Sequence, residues 1–100
     1  MTEKRCYMII TADLTDRARF LADYARVVPP LVEKFGGSYV IRGSGGEFLE
    51  GGWCDRASAL VSEWPSKEAA LRFWNSAEYA EAKKLREGTG RFQVLLVESA

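Results

Sequence analysis

Histidine is absent from this sequence, and cysteine occurs only twice. Without histidine, one chain cannot assemble a Ser-His-Asp or Cys-His nucleophile system, and it cannot ligate haem iron through imidazole. The two cysteines, Cys6 and Cys54, are far apart in sequence and too few for a structural zinc site. We therefore expect no metal and no cofactor, and two reduced thiols in a cytoplasmic protein.

The sequence also lacks a charge excess and a long apolar run. Basic and acidic residues number 14 each, so the formal net charge is zero. Nucleic-acid-binding proteins usually carry a basic excess, because phosphate contacts supply most of their affinity. The first apolar run stops at Asp13, which is too short for a membrane span and too strand-like for a signal peptide. We expect one soluble domain over residues 1–100, without nucleic-acid or membrane partners.

Hydrophobic periodicity predicts four strands and two helical segments. The strands are rich in β-branched and aromatic residues and cover residues 5–13, 38–42, 57–64 and 91–98. Helical spacing runs from about residue 20 to Phe35, with a kink or restart expected at Pro29-Pro30. The second helical segment begins after Ser66, and Ser76 caps its continuation after a break at Asn75. Residues 43–56 are expected to form a loop with a short extended piece at 47–50.

The order of elements is β-α-β-β-α-β, which is the ferredoxin-like α+β arrangement with a four-stranded antiparallel sheet. Right-handed crossovers place both helices on one face of that sheet. The first and last strands are nevertheless apolar on both faces, as Met8 against Ile9 and Leu96 against Leu95 illustrate. A second apolar face on a small domain indicates an interface. The pattern therefore predicts a homodimer joined sheet to sheet.

Several short motifs, in their order and spacing, resemble one known family. They are Phe35-Gly36-Gly37-Ser38-Tyr39-Val40-Ile41-Arg42-Gly43, Leu49-Glu50-Gly51-Gly52-Trp53, Trp64-Pro65-Ser66, Phe73-Trp74-Asn75-Ser76-Ala77-Glu78-Tyr79 and Leu95-Leu96-Val97-Glu98. Together they resemble the family called domain of unknown function 1330, within the dimeric α/β-barrel superfamily. The sequence departs from that family at Gly52, where an acidic residue is frequent, and at Trp64, where Phe is usual.

The resemblance implies a cytoplasmic homodimer with a ferredoxin-like fold over nearly the whole chain. It supplies no activity, because the family has no settled one. Relatives in the superfamily include cofactor-free monooxygenases of aromatic polyketides, lactone isomerases and haem enzymes, and a shared fold does not transfer function among them.

Three polar residues are candidates for catalysis. Arg42 ends the second predicted strand, where its guanidinium would hold a carboxylate or enolate, or else pair with Glu50 to fix the loop. The Tyr79 hydroxyl would donate to a ligand oxygen, or else be satisfied within the protein. Glu63 would be a base with a raised pKa if its face of the strand meets the helices. It would have no role if that face meets solvent.

Aromatic residues and one further arginine are candidates for ligand binding. Tyr24, Trp53 and Trp74 would line a pocket for a flat ligand, or else fill the core between sheet and helices. Trp74 favours the core, whereas Trp53 lies in the loop, where a dimer contact or a pocket lid fits as well as burial does. Arg86, near the end of the second helical segment, would bind ligand or pair with Glu50 or Glu63.

Three functional hypotheses follow. The leading one is a dimer that binds a small aromatic or apolar carboxylate or carbonyl ligand between sheet and helices, with cofactor-free isomerase or monooxygenase chemistry. It requires a cavity of about 300 Å³ or more. The alternative is a non-catalytic binding or regulatory dimer that uses loop 43–56, with Phe48 and Trp53 exposed. Haem- or metal-dependent chemistry is the weakest reading, because the sequence has no histidine.

Overall fold

The computed structural model describes residues 4–99. Within that range the chain forms four strands, four α-helices and a short 3₁₀ turn. The elements are β1 (Cys6–Leu14), α1 (Arg17–Ala22), α2 (Tyr24–Lys34), β2 (Ser38–Glu47), β3 (Arg56–Trp64), α3 (Lys67–Trp74), α4 (Ala77–Lys83), the 3₁₀ turn (Lys84–Arg86) and β4 (Gly90–Glu98).

The four strands form one antiparallel sheet in the order β2-β3-β1-β4. β1 lies at the centre of this order, so the two helical crossovers separate strands that are not paired with each other. The predicted ferredoxin-like arrangement is therefore confirmed. Among residues 4–99, no helix has both the length and the apolar composition that crossing a membrane requires.

β2 differs most from the prediction, because it continues past Arg42 to Glu47. The predicted loop of residues 43–56 therefore shrinks to 48–55, and residues 47–50 form no separate strand. The strand register shifts between Tyr39 and Ile41 and again between Gly43 and Gly46. Bulges at a sheet edge accommodate such glycines. At Gly46 a Cβ atom would lie 2.6 Å from the carbonyl oxygen of Ala57, so only glycine allows this close pairing.

Side-chain caps begin three of the helices. Asp16 accepts a hydrogen bond from the Arg19 amide, Ser66 from the Ala69 amide, and Ser76 from the Tyr79 amide. The predicted break at Asn75 and the restart at Ser76 are confirmed.

The predicted kink or restart at Pro29-Pro30 was wrong in its position. Both prolines lie inside α2, and the helix breaks earlier, at Asp23. Tyr24, Val28 and Val32 are buried along one stripe of α2. Packing of such a stripe supplies most of a helix's stability in a folded protein, so it maintains the helix across the two prolines.

All four α-helices cover the same face of the sheet, as predicted. The core between them is dominated by aromatic and small residues: Cys6, Met8, Phe20, Tyr24, Val28, Val32, Trp64, Ala69, Ala70, Phe73, Tyr79 and Ala82. The opposite face, which we call the bare face, carries Tyr7, Ile9, Ile41, Val61, Leu95 and Val97, by strand register. Leu95 is 58% exposed and Ile41 is 50% exposed, so the second apolar face that the strand pattern predicted is present.

Candidate functional site

A cleft of about 220 Å³ opens on the helix-covered side of the sheet. Helices α1 and α2 form one wall, and strands β2 and β3 form the other. Its lining is apolar apart from two serines and two guanidinium groups: Ala12, Leu14, Arg17, Phe20, Leu21, Ala25, Arg42, Gly43, Ser44, Ser58 and Leu60. The cleft is smaller than the about 300 Å³ expected for a drug-sized ligand. It therefore suits a small ligand.

The bulge in β2 brings Arg42 to this cleft. Tyr39 pairs with Ser62, but Arg42 pairs with Leu60, because one residue of β2 is skipped between Tyr39 and Ile41. In a regular ladder Arg42 would pair with Ala59 and project from the bare face, since one step of register exchanges the two faces. The bulge instead places its guanidinium 5.2 Å from the Tyr39 ring. The Glu50 ion pair considered as an alternative is not formed.

Arg17 is the second guanidinium of the cleft, and the sequence analysis did not identify it. It is the first residue of α1, and its Nη1 lies 3.5 Å from the Ser58 hydroxyl. Among residues 4–99, neither Arg17 nor Arg42 forms a salt bridge with a carboxylate. Its position in the sequence could have identified it. A cation in the first turn of a helix opposes the helix dipole, so an arginine there is unfavourable for the helix itself.

The cleft narrows towards the core in two steps. A space of about 40 Å³ shares Phe20, Ala25, Arg42 and Leu60 with the cleft. A void of about 10 Å³ lies behind it, and Tyr24, Val28, Tyr39 and Leu60 line both.

Two buried tyrosine hydroxyls meet at the inner end of this series of cavities. The hydroxyl oxygens of Tyr24 and Tyr79 are 2.8 Å apart, and the two residues are only 4% and 1% exposed. Burial, with a smaller contribution from Tyr79, raises the pKa of Tyr24 well above its ordinary value. Burial also raises the pKa of Tyr39 to about 12, although Arg42 lowers it in part. At neutral pH Tyr24 and Tyr39 are therefore protonated, and within the described residues the lining contains no carboxylate.

Glu63 lies on the bare face, so the structure separates it from the cleft. Its carboxylate accepts a hydrogen bond from the Tyr7 hydroxyl at 2.7 Å and pairs with Arg5 at 3.1 Å. The sequence left open which face this strand presents to the helices, and the register places Glu63 on the other one. It has no geometry for acting as a base on a ligand in the cleft.

Trp53 also belongs to the bare-face side. Its Nε1 donates to the Thr11 hydroxyl at 3.2 Å, and the Arg91 guanidinium lies 5.1 Å from its ring. The ring is half-buried and is not a lid over the cleft. Phe48 is half-buried as well, whereas Leu49 in the same loop is 92% exposed.

Trp74 and Arg86 lie outside the cleft. The Trp74 ring packs 5.2 Å from the Tyr79 ring, beneath the Lys83 ammonium group. Arg86 stacks 4.3 Å from the Phe92 ring, and it forms neither of the ion pairs predicted with glutamates. Of the seven candidate residues, the structure brings together Arg42, Tyr24 and Tyr79.

A larger groove of about 600 Å³ adjoins the cleft at one end of the sheet and shares Ala12, Leu14, Arg17 and Ser58 with it. Its wall includes Arg17 and Arg56, together with Arg91, which pairs with Asp13 at 2.7 Å. The groove is wide open to solvent and contains none of the seven candidate residues. Ligand sites bury most of their ligand and are mainly apolar, so the smaller cleft is the better candidate.

Solved structures share the fold at low sequence identity. A protein of unknown function from Rhodopseudomonas palustris is 23% identical, with a TM-score of 0.80 over 98% of this chain and 84% of its own. SnoaB, a cofactor-independent oxygenase from Streptomyces nogalater, is 12% identical, with a TM-score of 0.70 over 97% and 94%. A candidate antibiotic biosynthesis monooxygenase from Caulobacter crescentus CB15 is also 12% identical, with a TM-score of 0.62 over 98% and 92%. These likenesses show the fold.

No curated protein matches the chain. A family model does match, over residues 5–100, and its description is domain of unknown function, DUF1330. The match includes every motif on which the resemblance was based. The chain therefore belongs to the DUF1330 family.

Proposed function

We propose that the protein binds a small apolar carboxylate in the cleft, with the carboxylate held by Arg42 and Arg17. The observation that carries this proposal is that two guanidinium groups, neither in a salt bridge within residues 4–99, line a cleft whose other residues are apolar apart from two serines. Guanidinium groups bind carboxylates through short, charge-assisted hydrogen bonds. The apolar body of the ligand would pack against Phe20, Leu21 and Leu60, where removal of its surface from water contributes affinity.

Binding is better supported than catalysis. The fold shared with a cofactor-independent oxygenase supports monooxygenase-like chemistry. Against it, the described lining offers no carboxylate to remove a proton, and the tyrosines with raised pKa values are acids rather than bases. Catalysis in this cleft would therefore need a substrate that ionises without a protein base.

The test compares a charged ligand with its neutral isostere. Isothermal titration calorimetry with phenylacetate and phenylacetamide should show that the acid binds and the amide binds much more weakly. Arg42→Gln and Arg17→Gln should each raise the Kd for phenylacetate about tenfold to a hundredfold, the loss expected for one charge-assisted hydrogen bond. Arg72→Gln, an exposed arginine in the last turn of α3, is the matched control. Equal binding of acid and amide would refute the proposal.

We infer that two copies associate through the bare face. Its exposed residues Ile41, Leu95 and Val97 form an apolar surface of the kind that monomers rarely present to water. Native mass spectrometry should show a dimer, and Leu95→Glu should convert it to a monomer. Leu71→Glu introduces the same charge on the helix side and should leave the dimer intact. A wild-type monomer would overturn the inference. A cytoplasmic location stays a prediction.

The alternative, a non-catalytic binding or regulatory dimer, has one supporting observation, which is the exposed Leu49 in loop 48–55. Trp53 is a poor probe of this idea, because its contacts to Thr11 and Arg91 give it a structural role. On this alternative, phenylacetate would not bind, and Leu49→Ser would disturb partner binding while leaving the melting temperature unchanged.

A further inference from the structure

The buried tyrosine pair at the inner end of the cleft has one hydroxyl proton more than it uses. Tyr24 and Tyr79 share a single hydrogen bond of 2.8 Å, in which one hydroxyl donates and the other accepts. The accepting hydroxyl keeps its own proton, and within residues 4–99 neither oxygen makes another hydrogen bond. A buried donor without an acceptor loses the hydrogen bond it would make to water and is therefore destabilising. A hydrogen bond from the remaining proton to an acceptor would therefore be favourable.

The lining of the cavities indicates which hydroxyl holds that proton. Tyr24 borders both the outer space of about 40 Å³ and the inner void of about 10 Å³. Tyr79 borders only the inner void. When Tyr79 donates to Tyr24, the Tyr24 proton is left for an acceptor in the two cavities that Tyr24 lines, one of which leads to the cleft. The inner void alone is at the lower limit for holding a water molecule.

We propose that Tyr24 donates this hydrogen bond to a ketone oxygen at the far end of the bound ligand, so that the cleft selects small oxo acids. This inference rests on the proposed function, because Arg42 and Arg17 hold the carboxylate at the mouth. The ligand then carries an anionic head, an apolar middle against Phe20 and Leu60, and an acceptor oxygen at its inner end.

A neutral acceptor fits the inner end better than a second carboxylate. The residues around the tyrosine pair are uncharged, and most are aromatic or aliphatic. The exception is Ser62, whose hydroxyl already accepts a hydrogen bond from Trp64 Nε1 at 2.9 Å. Burying a second charge there without a counter-ion would be strongly unfavourable. Because burial raises the pKa of Tyr24, its hydroxyl remains a donor across the physiological range. Monocarboxylic oxo acids should therefore bind more tightly than dicarboxylic acids of the same length.

For each protein, the experiment measures the ratio of its affinities for an oxo acid and for the branched acid of the same length. Calorimetry compares 5-oxohexanoate with 5-methylhexanoate, in which a methyl group replaces the ketone oxygen, and repeats the pair one carbon shorter and one carbon longer. At the best length the oxo acid should bind about threefold to tenfold more tightly, the worth of one neutral hydrogen bond. Tyr24→Phe should reduce this ratio to about one. Tyr79→Phe should retain it, because Tyr24 keeps its proton.

The matched control is Tyr7→Phe, which removes a tyrosine hydroxyl from the bare face and should leave the ratio unchanged. A second measurement needs no variant: the infrared carbonyl stretch of ¹³C-labelled 5-oxohexanoate should move to lower wavenumber on binding to the wild-type protein. Branched acids that bind without any preference for the oxo acids, or a preference that survives Tyr24→Phe, would overturn the inference and leave the proposed function intact. Failure of every acid to bind would overturn both.

Discussion

The hydroxyl pair of Tyr24 and Tyr79 leads to a quantitative prediction about stability. Replacing either residue by phenylalanine retains the ring, so the stacking of Tyr24 on Phe20 and of Tyr79 on Phe73 is preserved. Each single variant removes one hydroxyl oxygen and leaves the other without its hydrogen-bond partner, at residues that are at most 4% exposed. Each single variant should therefore lose about 1–3 kcal/mol of unfolding free energy.

The double variant behaves differently, because it removes both oxygens and strands neither. Replacing both members of a buried pair by apolar groups of the same shape is close to neutral. We expect Tyr24→Phe/Tyr79→Phe to lose no more than about 1 kcal/mol, which is less than the sum of the two single losses. The coupling energy should therefore exceed about 1 kcal/mol, as expected for residues in direct contact.

Urea denaturation, followed by tryptophan fluorescence at one fixed protein concentration, measures all four proteins of this cycle. Tyr7→Phe, combined with each single variant, supplies the control. Its hydroxyl bonds to Glu63 on the bare face, so its effect should be additive. Additive losses in the Tyr24 and Tyr79 cycle would refute the reasoning, because they would show that the two hydroxyls do not satisfy each other.

Two further predictions concern packing and pH. A Cβ at Gly37 would lie 2.8 Å from the buried Trp64 ring, so Gly37→Ala should lower the unfolding free energy measured in urea by about 1–3 kcal/mol. The loss should shrink in a Trp64→Phe background, and an equal loss there would contradict the prediction. The hydrogen bond from Lys34 lowers the pKa of Glu78, so this pair contributes stability above pH 4.5 that is lost as the pH falls through the lowered pKa. Lys34→Met should therefore flatten the acid limb of stability measured against pH, whereas Lys84→Met, at an exposed pair within one helix turn, should follow the wild-type curve.

Local sequence patterns were sufficient to predict the fold. Strand periodicity, the serine caps at Ser66 and Ser76, and the right-handed crossover rule together specified the order of elements and the placement of all helices on one face of the sheet. These signals depend on neighbouring residues, and the structure confirms them. The extension of β2 was missed because its glycines are typical of a loop, and only the pairing with β3 makes them part of a strand.

The members of the site were harder to predict, because each depends on which face of the sheet a residue occupies. Glu63 and Trp53 lie on the bare face, although their residue types suit a pocket. Arg17 was missed because only the packing of β1 and α1 against β3 brings it to the cleft. Side-chain alternation along a strand fixes only relative positions, whereas register against the neighbouring strand assigns each set to a face.

The dependence of Arg42 on the register of β2 can be tested directly. Val40 is the residue of β2 that is skipped in the register, and its side chain is 56% exposed at the sheet edge. Deleting Val40 would let Tyr39, Ile41 and Arg42 pair consecutively with β3, so Arg42 would stay opposite Leu60. We therefore expect the deletion variant to fold and to bind phenylacetate within about threefold of wild type, a difference of less than 1 kcal/mol. Loss of the binding that depends on Arg42, in a folded deletion variant, would show that the bulge itself shapes the cleft rather than only setting the register.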